Sequence, residues 1–378
     1  MSTLIRFFTD PHEGRILKAN TTPHSRALLE EQLHLYAMQA AEMPFPGDDI
    51  FVPGADVRAT ILAGDLFDQD TNPEHVLIRG AQLVEKCTMV LAGNHDVVNI
   101  QGRESSLSAL RELTNPEKFV MPPAVGDYGI RTTYWGSAQG QDDVLLIMIP
   151  HHATQDLFDR ALAQAKKASV EHKGSVNRRL LMLHCNYNMT IGQTENDLNL
   201  PEAKAKWLLE EFDYIVLGHD HRPRRELEGR VVILGNTHPT SFSDLGQKYV
   251  WFYNSQSNDW VQVINAADAS VSVDASRLLE LWREEELSKL QEYEWIDIRG
   301  VLEPEQAVDL GKAIRALWKV SQYIYAIRAS RVTYTGFDAA QAFKVEAATR
   351  SLVEIVESDL ESQPEMLELF REAKEFKE

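Results

Sequence analysis

The stretch "IVLGHDHRPRRE", residues Ile215–Glu226, decides how this sequence is interpreted. It passes from an apolar run into two histidines that flank an aspartate and then into a cluster of arginines. Residues two apart on an extended chain project to the same side, so His219 and His221 can direct their imidazoles at one point past the end of a strand. Two imidazoles at one point indicate a metal site. A polar loop with two solvated histidines is the alternative.

Composition places the chain among globular proteins with a large core and a smaller appendage. It has 378 residues, of which 44% are hydrophobic and 25% charged, values typical of globular proteins. We find no apolar run of about 18 residues and no secretory h-region in the opening "MSTLIRFFTD", so we expect a cytoplasmic protein without membrane association. The net charge of -19 argues against a nucleic-acid partner unless a local basic patch overcomes it.

The cysteine content excludes two kinds of site. Only Cys87 and Cys185 are present, without the C-x-x-C spacing of a thiolate zinc site or the number that a disulfide framework needs. Cys87 opens an apolar run and is predicted to be a small buried residue.

Up to about residue 265 the pattern predicts an α/β fold. Short apolar runs alternate with segments of helical periodicity over residues 25–43, 74–86 and 155–171. Because the runs are continuously apolar, they indicate a sheet that helices bury on both faces. The predicted strands are "LIRFFTD", "RATILAGD", "CTMVLAGN", "VLLIMIP", "RLLMLHCN", "YIVLGHD" and "VVILGN".

The remaining sequence divides into three parts. Residues 266–275 are small and polar and are predicted to be a linker. Residues 276–335 read as helix, strand, helix and strand, which predicts a small α/β domain. Residues 336–378 are predicted to form two helices broken at "SQPE", since Pro364 suits the first turn of a helix.

Polar residues recur where the predicted strands of the main domain end. Each has a simpler explanation as a turn former, a helix cap or a hydrogen-bonded core histidine. Agreement among five strand ends favours one common site, and the glycines before Asp65, Asn94 and His219 allow close packing of the backbone. The residues are Asp10, His12, Asp65, Asp68, Asn94, His95, His184, His219 and His221. His151, in "IPHH", can line the same rim but is not counted as a ligand, and His24, His34, His75 and His172 are predicted to lie on the surface.

The order D-x-H, GDxxD, GNHD, H and GHxH resembles the signature of the calcineurin-like metallophosphoesterases over roughly the first 250 residues. More narrowly, "GDLFD" and "LGNTHPTSFSDLGQKYVWFY" resemble the SbcD nucleases, which include the meiotic-recombination-eleven protein. The chain differs from that family in Glu13, where leucine is usual, and in its acidity. The resemblance implies a helix-flanked β-sandwich (α/β/β/α) with a small capping domain and partner-binding C-terminal helices.

The resemblance also implies a ligand set for two divalent metals. One metal takes Asp10, His12 and His221, the other takes Asn94, His184 and His219, and Asp65 bridges them. Oxygen and nitrogen ligands suit manganese, with magnesium, iron or zinc as alternatives. Two such ions brace the attacking and leaving oxygens of a displacement at phosphorus, so no serine or cysteine nucleophile is required.

Two further roles are predicted around this site. His95 is expected to stabilise the reacting phosphorus and protonate the leaving oxygen, with the Asp68 carboxylate accepting a hydrogen bond from its ring. Arg222, Arg224 and Arg225 are expected to bind phosphates, although a solvated loop that balances an acidic protein is the alternative.

Three functions remain open from the sequence. The first is a DNA exonuclease or endonuclease that works as a homodimer with an SbcC-like coiled-coil ATPase in repair and recombination. The second is a stand-alone phosphodiesterase for small nucleotides or phosphoproteins, and the third is a non-catalytic scaffold. The appended domain disfavours the second, and the complete set of ligand types disfavours the third.

The C-terminal tail carries one apolar stripe at helical spacing. Such a stripe either packs on its own domain or docks in the groove of a partner such as the ATPase. Its members are Met366, Leu369, Phe370, Ala373 and Phe376.

Overall fold

The computed structural model describes residues 3–17, 21–46, 57–98, 104–122, 128–135, 144–189 and 198–335. The helices are α1 (Pro23–Glu42), α2 (Glu74–Lys86), α3 (Ser106–Leu113), α4 (Gln155–Glu171), α5 (Glu202–Leu208), α6 (Ala275–Arg283) and α7 (Ala307–Val320). Short 3-10 turns lie at Pro116–Lys118, Leu287–Leu290 and Pro304–Gln306.

The strands are β1 (Leu4–Phe8), β2 (Val57–Leu62), β3 (Met89–Leu91), β4 (Phe119–Val120), β5 (Arg131–Trp135), β6 (Val144–Ile149), β7 (Arg178–His184), β8 (Asn186–Tyr187), β9 (Asn199–Leu200), β10 (Tyr214–Gly218), β11 (Arg224–Glu226), β12 (Val231–Ile233), β13 (Lys248–Asn254), β14 (Asp259–Ala266), β15 (Ser270–Asp274), β16 (Trp295–Leu302) and β17 (Ala326–Tyr334).

The chain divides into two compact units. The first holds the described residues up to Ser272 together with Leu287–Asp297 and Leu317–Arg328. The second holds Val273–Glu286, Ile298–Ala316 and the described residues 329–335. The predicted domain boundaries at residues 265, 275 and 335 stay predictions.

Two six-stranded sheets form the first unit. Their strand orders are β14-β13-β1-β2-β3-β4 and β11-β12-β10-β7-β6-β5. Side chains alternate between the faces of each strand: in β6, Val144, Leu146 and Met148 join a core shared with the other sheet. Leu145 and Ile147, between them, pack with α4 and α5 instead.

Helices cover the outer faces of both sheets. Residues of α1, α2 and α3 pack on the β1 sheet, while residues of α4 and α5 pack on the β6 sheet. The expected α/β/β/α sandwich is therefore confirmed.

Strand direction decides where the loops with the predicted ligand residues meet. β1, β2 and β3 run parallel in one sheet, and β6, β7 and β10 run parallel in the other. The loops after their carboxyl ends therefore gather at one edge of each sheet, which is where ligands bind in such folds.

The structure corrects several of the pattern-based expectations, including the omission of the short strands β4, β5, β8, β9 and β11. One helix-covered sheet was expected from the strand pattern, whereas two sheets face each other. The antiparallel hairpin of β13 and β14 was not predicted as strands. The segment predicted to be a linker contains β15, because its alternating "SVSVD" buries Val273 in the sheet β15-β16-β17.

Other expectations agree with the structure. The helices predicted over residues 74–86 and 155–171 have those bounds, and Cys87 is buried. No described helix combines the length and apolarity needed to cross a bilayer. The predicted tail helices and their apolar stripe lie outside the described residues.

Candidate metal centre

The loops after β1, β2, β3 and β10, together with the end of β7, bring the predicted ligands together. Four of these residues hold left-handed backbone conformations that non-glycine residues rarely adopt. Their φ angles are 53° at Asp10, 49° at His12, 51° at Asp65 and 87° at His219. Strain of this kind concentrates at functional sites because it aims side chains that regular strands cannot.

The first group of ligand atoms comes from Asp10, His12 and His221, and these atoms lie within 4.8 Å of one another. Nε2 of His12 lies 3.0 Å from Nε2 of His221, and Oδ1 of Asp10 lies 3.6 Å from the latter atom. That Oδ1 is buried and has no hydrogen-bond partner among the described residues. A buried carboxylate oxygen is costly without a partner, so this arrangement fits a bound cation.

The second group comes from Asp65, His184 and His219, again within 4.8 Å of one another, together with Asn94. Oδ1 of Asn94 lies 3.1 Å from Nε2 of His184 and 2.9 Å from Nδ1 of His219. Oδ2 of Asp65 lies 3.2 Å from Nε2 of His184 and 4.0 Å from Nε2 of His12. One oxygen of Asp65 therefore faces both groups, as a bridging ligand would.

Charge is concentrated in this buried space. Burial raises the pKa of Asp10, but the charge of His184 and contact with His221 outweigh it and hold that pKa below its usual range. Burial lowers the pKa of His184, yet the charges of Asp65 and Asp10 raise it to about 9. The carboxylates are thus ionised and collect positive charge, which divalent cations supply when they replace the imidazole protons.

Close backbone packing under the ligands depends on glycine. A Cβ atom added to Gly93 would overlap Oδ1 of Asp65, and one added to Gly64 would overlap Nδ1 of His184. The predicted reason for these glycines is therefore confirmed.

Two aspartates missed by sequence reasoning hold the ligand loops. Asp96 is buried and accepts hydrogen bonds from the main-chain N–H groups of Leu66, Phe67 and Gly93, at 3.2, 3.0 and 3.0 Å, so it joins the loops after β2 and β3. Asp244 accepts a hydrogen bond from Nδ1 of His221 at 3.0 Å. A carboxylate behind a ligand histidine fixes its tautomer and orientation.

Asp244 is itself firmly placed. Its carboxylate accepts from the main-chain N–H groups of Thr240 and Ser241, at 3.1 and 2.7 Å, and from the Asn236 amide at 2.7 Å. Its position at the end of "SFSD" was the available sequence signal. Behind the same loop, buried Lys248 donates to the carbonyl oxygen of His221 at 2.9 Å.

The predicted hydrogen bond between His95 and the Asp68 carboxylate is wrong. Nδ1 of His95 lies 2.7 Å from the main-chain carbonyl oxygen of Asp68. The carboxylate instead contacts Nη1 of Arg15 at 2.7 Å and Nδ1 of His12 at 3.3 Å. A carbonyl oxygen only accepts, so Nδ1 of His95 carries the hydrogen and Nε2 is left for other partners.

The arginines after His221 are engaged by acidic groups. Nη1 of Arg224 lies 2.6 Å from Asp220, and Arg225 lies 3.4 Å from Asp259. Arg222 has the most exposed side chain of the three, at 72%, and also contacts Asp220 at 3.4 Å. Carboxylates therefore compete with phosphate at this cluster, and its role in substrate binding stays a prediction.

Among the histidines predicted to lie on the surface, His34 is mostly buried, with a side chain that is 16% exposed. Its Nδ1 lies 2.8 Å from Oε1 of Glu13, whose side chain is fully buried. His34 belongs to α1 and Glu13 follows His12, so this pair ties the first ligand loop to the helix.

A family profile matches the part of the chain that carries these residues. The family profile "Calcineurin-like phosphoesterase" matches residues 4–223. A search of curated proteins gives no match.

Solved structures resemble the chain at low identity. A protein of Staphylococcus aureus assigned as a 5'-nucleotidase is 12% identical with a TM-score of 0.39, covering 70% of this chain, which spans 53% of that protein. A dimetal phosphatase of Danio rerio is 10% identical with a TM-score of 0.38, covering 70% of this chain and 99% of that one. Vps29 of Entamoeba histolytica, solved with zinc, is 11% identical with a TM-score of 0.25 and covers 70% of this chain and 100% of that one.

The profile covers more than half of the chain and all seven predicted metal ligands. This protein belongs to the calcineurin-like phosphoesterase family.

Proposed function

We propose that this protein is a two-metal-dependent DNA nuclease of the SbcD type. The observation that carries the hydrolytic part is the convergence of two ligand groups on either side of Asp65. The DNA substrate and the repair or recombination role are supported by the resemblance of "GDLFD" and of the stretch after "GHDH" to that family.

The residues present fit two divalent cations, with manganese expected. Asp10, His12 and His221 would hold one ion, and Asn94, His184 and His219 the other, with Asp65 shared. When bound, such ions act as Lewis acids on phosphoryl oxygens and activate water. The remaining contributions come from the protein's own side chains.

His95 supplies proton transfer. Its main-chain N–H donates to Oδ1 of Asp65 at 3.0 Å, which places it beside the shared ligand. With Nδ1 donating to the carbonyl oxygen of Asp68, Nε2 can carry a proton to the leaving oxygen. His95 thus acts on substrate while Asp65 holds metal.

A stand-alone phosphodiesterase for small nucleotides or phosphoproteins is the second candidate. The pairing of Arg224 and Arg225 with Asp220 and Asp259 and the net charge of -19 favour it, because both weaken attraction for a polyanion.

Hydrolysis assays separate the two candidates. The full chain, stripped with a chelator and reloaded with manganese, is offered linear duplex DNA, single-stranded DNA, bis(p-nitrophenyl) phosphate and a cyclic nucleotide. The nuclease proposal expects DNA cleavage that needs the metal. Hydrolysis of the small diesters without DNA cleavage would instead support the second candidate.

The SbcC-like ATPase partner and the homodimer stay predictions. Deleting residues 336–378 should abolish co-purification with such an ATPase while leaving metal-dependent hydrolysis intact, because every proposed ligand precedes Arg222. Retained co-purification would contradict the docking role of the tail.

A further inference from the structure

Two adjacent histidines, His151 and His152, follow β6 at the edge that carries the metal centre. β6 runs parallel to β7, with Ile149 paired to Leu183, so His184 ends the neighbouring strand at the same level. The main-chain N–H of His151 donates to the carbonyl oxygen of Ala92 at 3.0 Å. This bond joins a loop of one sheet to the loop of the other sheet that carries Asn94. His151 therefore lies where the two sheets meet beside the second ligand group.

The His151 ring is enclosed but uncommitted. The residue is 3% exposed, and its Nδ1 is buried without a hydrogen-bond partner among the described residues. Leaving a buried polar atom unpaired costs free energy, and native structures reserve such atoms for ligands, water or function. Because Nδ1 is not held, the ring hydrogen can sit on whichever nitrogen meets a ligand.

The charges around His151 are those of the metal centre. Burial is the main cause that lowers the pKa of His151 to about 3, and the charges of His184 and His219 lower it further. The negative charge of Asp65 acts in the opposite direction. The ring is therefore neutral at ordinary pH and offers one N–H and one lone pair.

His152 provides a contrast on the next residue. It is 4% exposed, and its Nε2 is likewise buried without a partner among the residues described. Its pKa is lowered by burial and raised in part by a hydrogen bond with the main chain of Tyr128. His152 is thus as buried as His151, but it interacts with Tyr128 and not with the charged residues of the candidate metal centre. His152 therefore serves as the control position.

We propose that His151 is a further substrate-contacting residue of this centre, donating its ring N–H to a non-bridging phosphoryl oxygen. The inference rests on the proposed function for its ligand class, phosphate esters. As an uncharged donor, His151 binds the phosphoryl group without protonating it, and the proton-transfer role stays with His95. Its contribution falls on binding of substrate and of phosphate more than on the chemical step.

The test measures phosphate binding apart from turnover. Calorimetry gives the affinity of inorganic phosphate for the manganese-loaded full chain, and KM and kcat are measured with bis(p-nitrophenyl) phosphate. His151→Phe should weaken phosphate binding about 10- to 100-fold, the effect of removing one hydrogen bond to a charged group. KM should rise by a similar factor with a smaller change in kcat. His151→Asn, which keeps an N–H donor, should recover much of the loss, and His152→Phe should bind phosphate like the wild type.

Metal content, measured on every variant, should equal that of the wild type. A folded His151→Phe variant with unchanged phosphate affinity and unchanged metal content would overturn the inference, as would a metal-loaded wild type that does not bind phosphate. If His151→Phe does not fold, ring ¹⁵N signals of the zinc-loaded wild type decide, with His151→Asn used for assignment. A His151 signal that phosphate leaves unshifted overturns the inference.

The proposed function can fail separately. If the wild type binds phosphate through His151 but cleaves neither DNA nor bis(p-nitrophenyl) phosphate, the proposed nuclease function is contradicted and the proposed role of His151 stands. If every His151 variant cleaves substrate normally, the proposed role of His151 is contradicted and the proposed nuclease function stands.

Discussion

His95 and Asp68 are joined through the main chain: Nδ1 of His95 lies 2.7 Å from the carbonyl oxygen of Asp68, while the Asp68 carboxylate contacts His12 and Arg15. Burial raises the pKa of Asp68, but these two neighbours outweigh it and hold the pKa below its usual value. The Asp68 side chain therefore lies against His12, a proposed metal ligand, and the Asp68 main chain lies against His95.

Asp68→Ala should weaken metal binding without removing proton transfer by His95. Loss of a carboxylate behind a ligand histidine typically lowers metal affinity about 10- to 100-fold. Titration of the stripped variant with manganese measures that loss. At saturating metal, the pH dependence of kcat should match the wild type, because the carbonyl oxygen that holds His95 remains. A shifted pH profile at full metal occupancy would show that the Asp68 side chain acts on His95 after all.

His95→Asn should reduce turnover and spare the metals. General acid catalysis contributes about 100- to 10,000-fold in rate. The His95 ring lies within 4.8 Å of ligand atoms of His12 and Asp65, but His95 belongs to neither proposed ligand set. Elemental analysis and kcat on one preparation provide the check. A variant with full metal content and wild-type kcat would remove His95 from the mechanism.

Asp244→Ala should weaken binding of the ion that His221 is proposed to hold, because the 3.0 Å hydrogen bond that fixes the His221 ring is lost. We expect an affinity loss of about 10- to 100-fold, confined to one of two ions. Ser243→Ala, in the same loop and exposed, is the matched control. Equal weakening of both ions, or an effect as large in the control, would show that the loop as a whole was disturbed.

His34→Ala should destabilise the fold. It leaves the fully buried side chain of Glu13 without its imidazole partner, and a buried polar group left without a partner costs about 1–3 kcal/mol. Urea unfolding measures the difference. Replacing both residues by leucine should restore most of the stability, since apolar groups of similar size often substitute for a buried pair. If the double variant is no more stable than His34→Ala, the pair does not explain the loss.

Both thiols should resist modification in the folded protein. Burial raises the pKa of Cys87 from 9.0 to about 12, which lowers its thiolate fraction on the order of a thousandfold at pH 8, and it also raises the pKa of Cys185. The thiolate is the reactive form, so Ellman's reagent at pH 8 should detect no fast thiol in native protein. Both should react in guanidinium. Rapid native labelling would indicate that the chain opens.

The sequence identifies the residues at this edge better than it identifies their contacts. Apolar runs followed by Asp10, Asp65 and Asn94 locate strand ends, because burial favours continuous apolar residues and polar groups mark where burial stops. A run of apolar residues does not distinguish one covered sheet from two facing sheets, which is why the sandwich came from the family resemblance and not from the pattern.

Contacts between distant segments were the part that failed. Asp244 lies 23 residues from His221, and only the folded loop brings it behind the ring. The sequence also cannot say whether an aspartate acts through its side chain or its carbonyl oxygen, so Asp68 was assigned the wrong atom. The pairing of Arg224 with Asp220 is different, because the two residues are only four apart, and the sequence does not show that an ion pair at this spacing forms.

The left-handed backbone at Asp10, His12, Asp65 and His219 means that selection for stability and selection for activity favour different residues at these positions. A selection that rewards thermal resistance alone would be drawn to these positions, because glycine relieves the conformational cost there and also removes a crowded charge or ring. Variants enriched in that way would be more stable to heat and would lack hydrolytic activity. A library screened for hydrolysis and heat tolerance together should therefore leave these four positions untouched while accepting changes elsewhere.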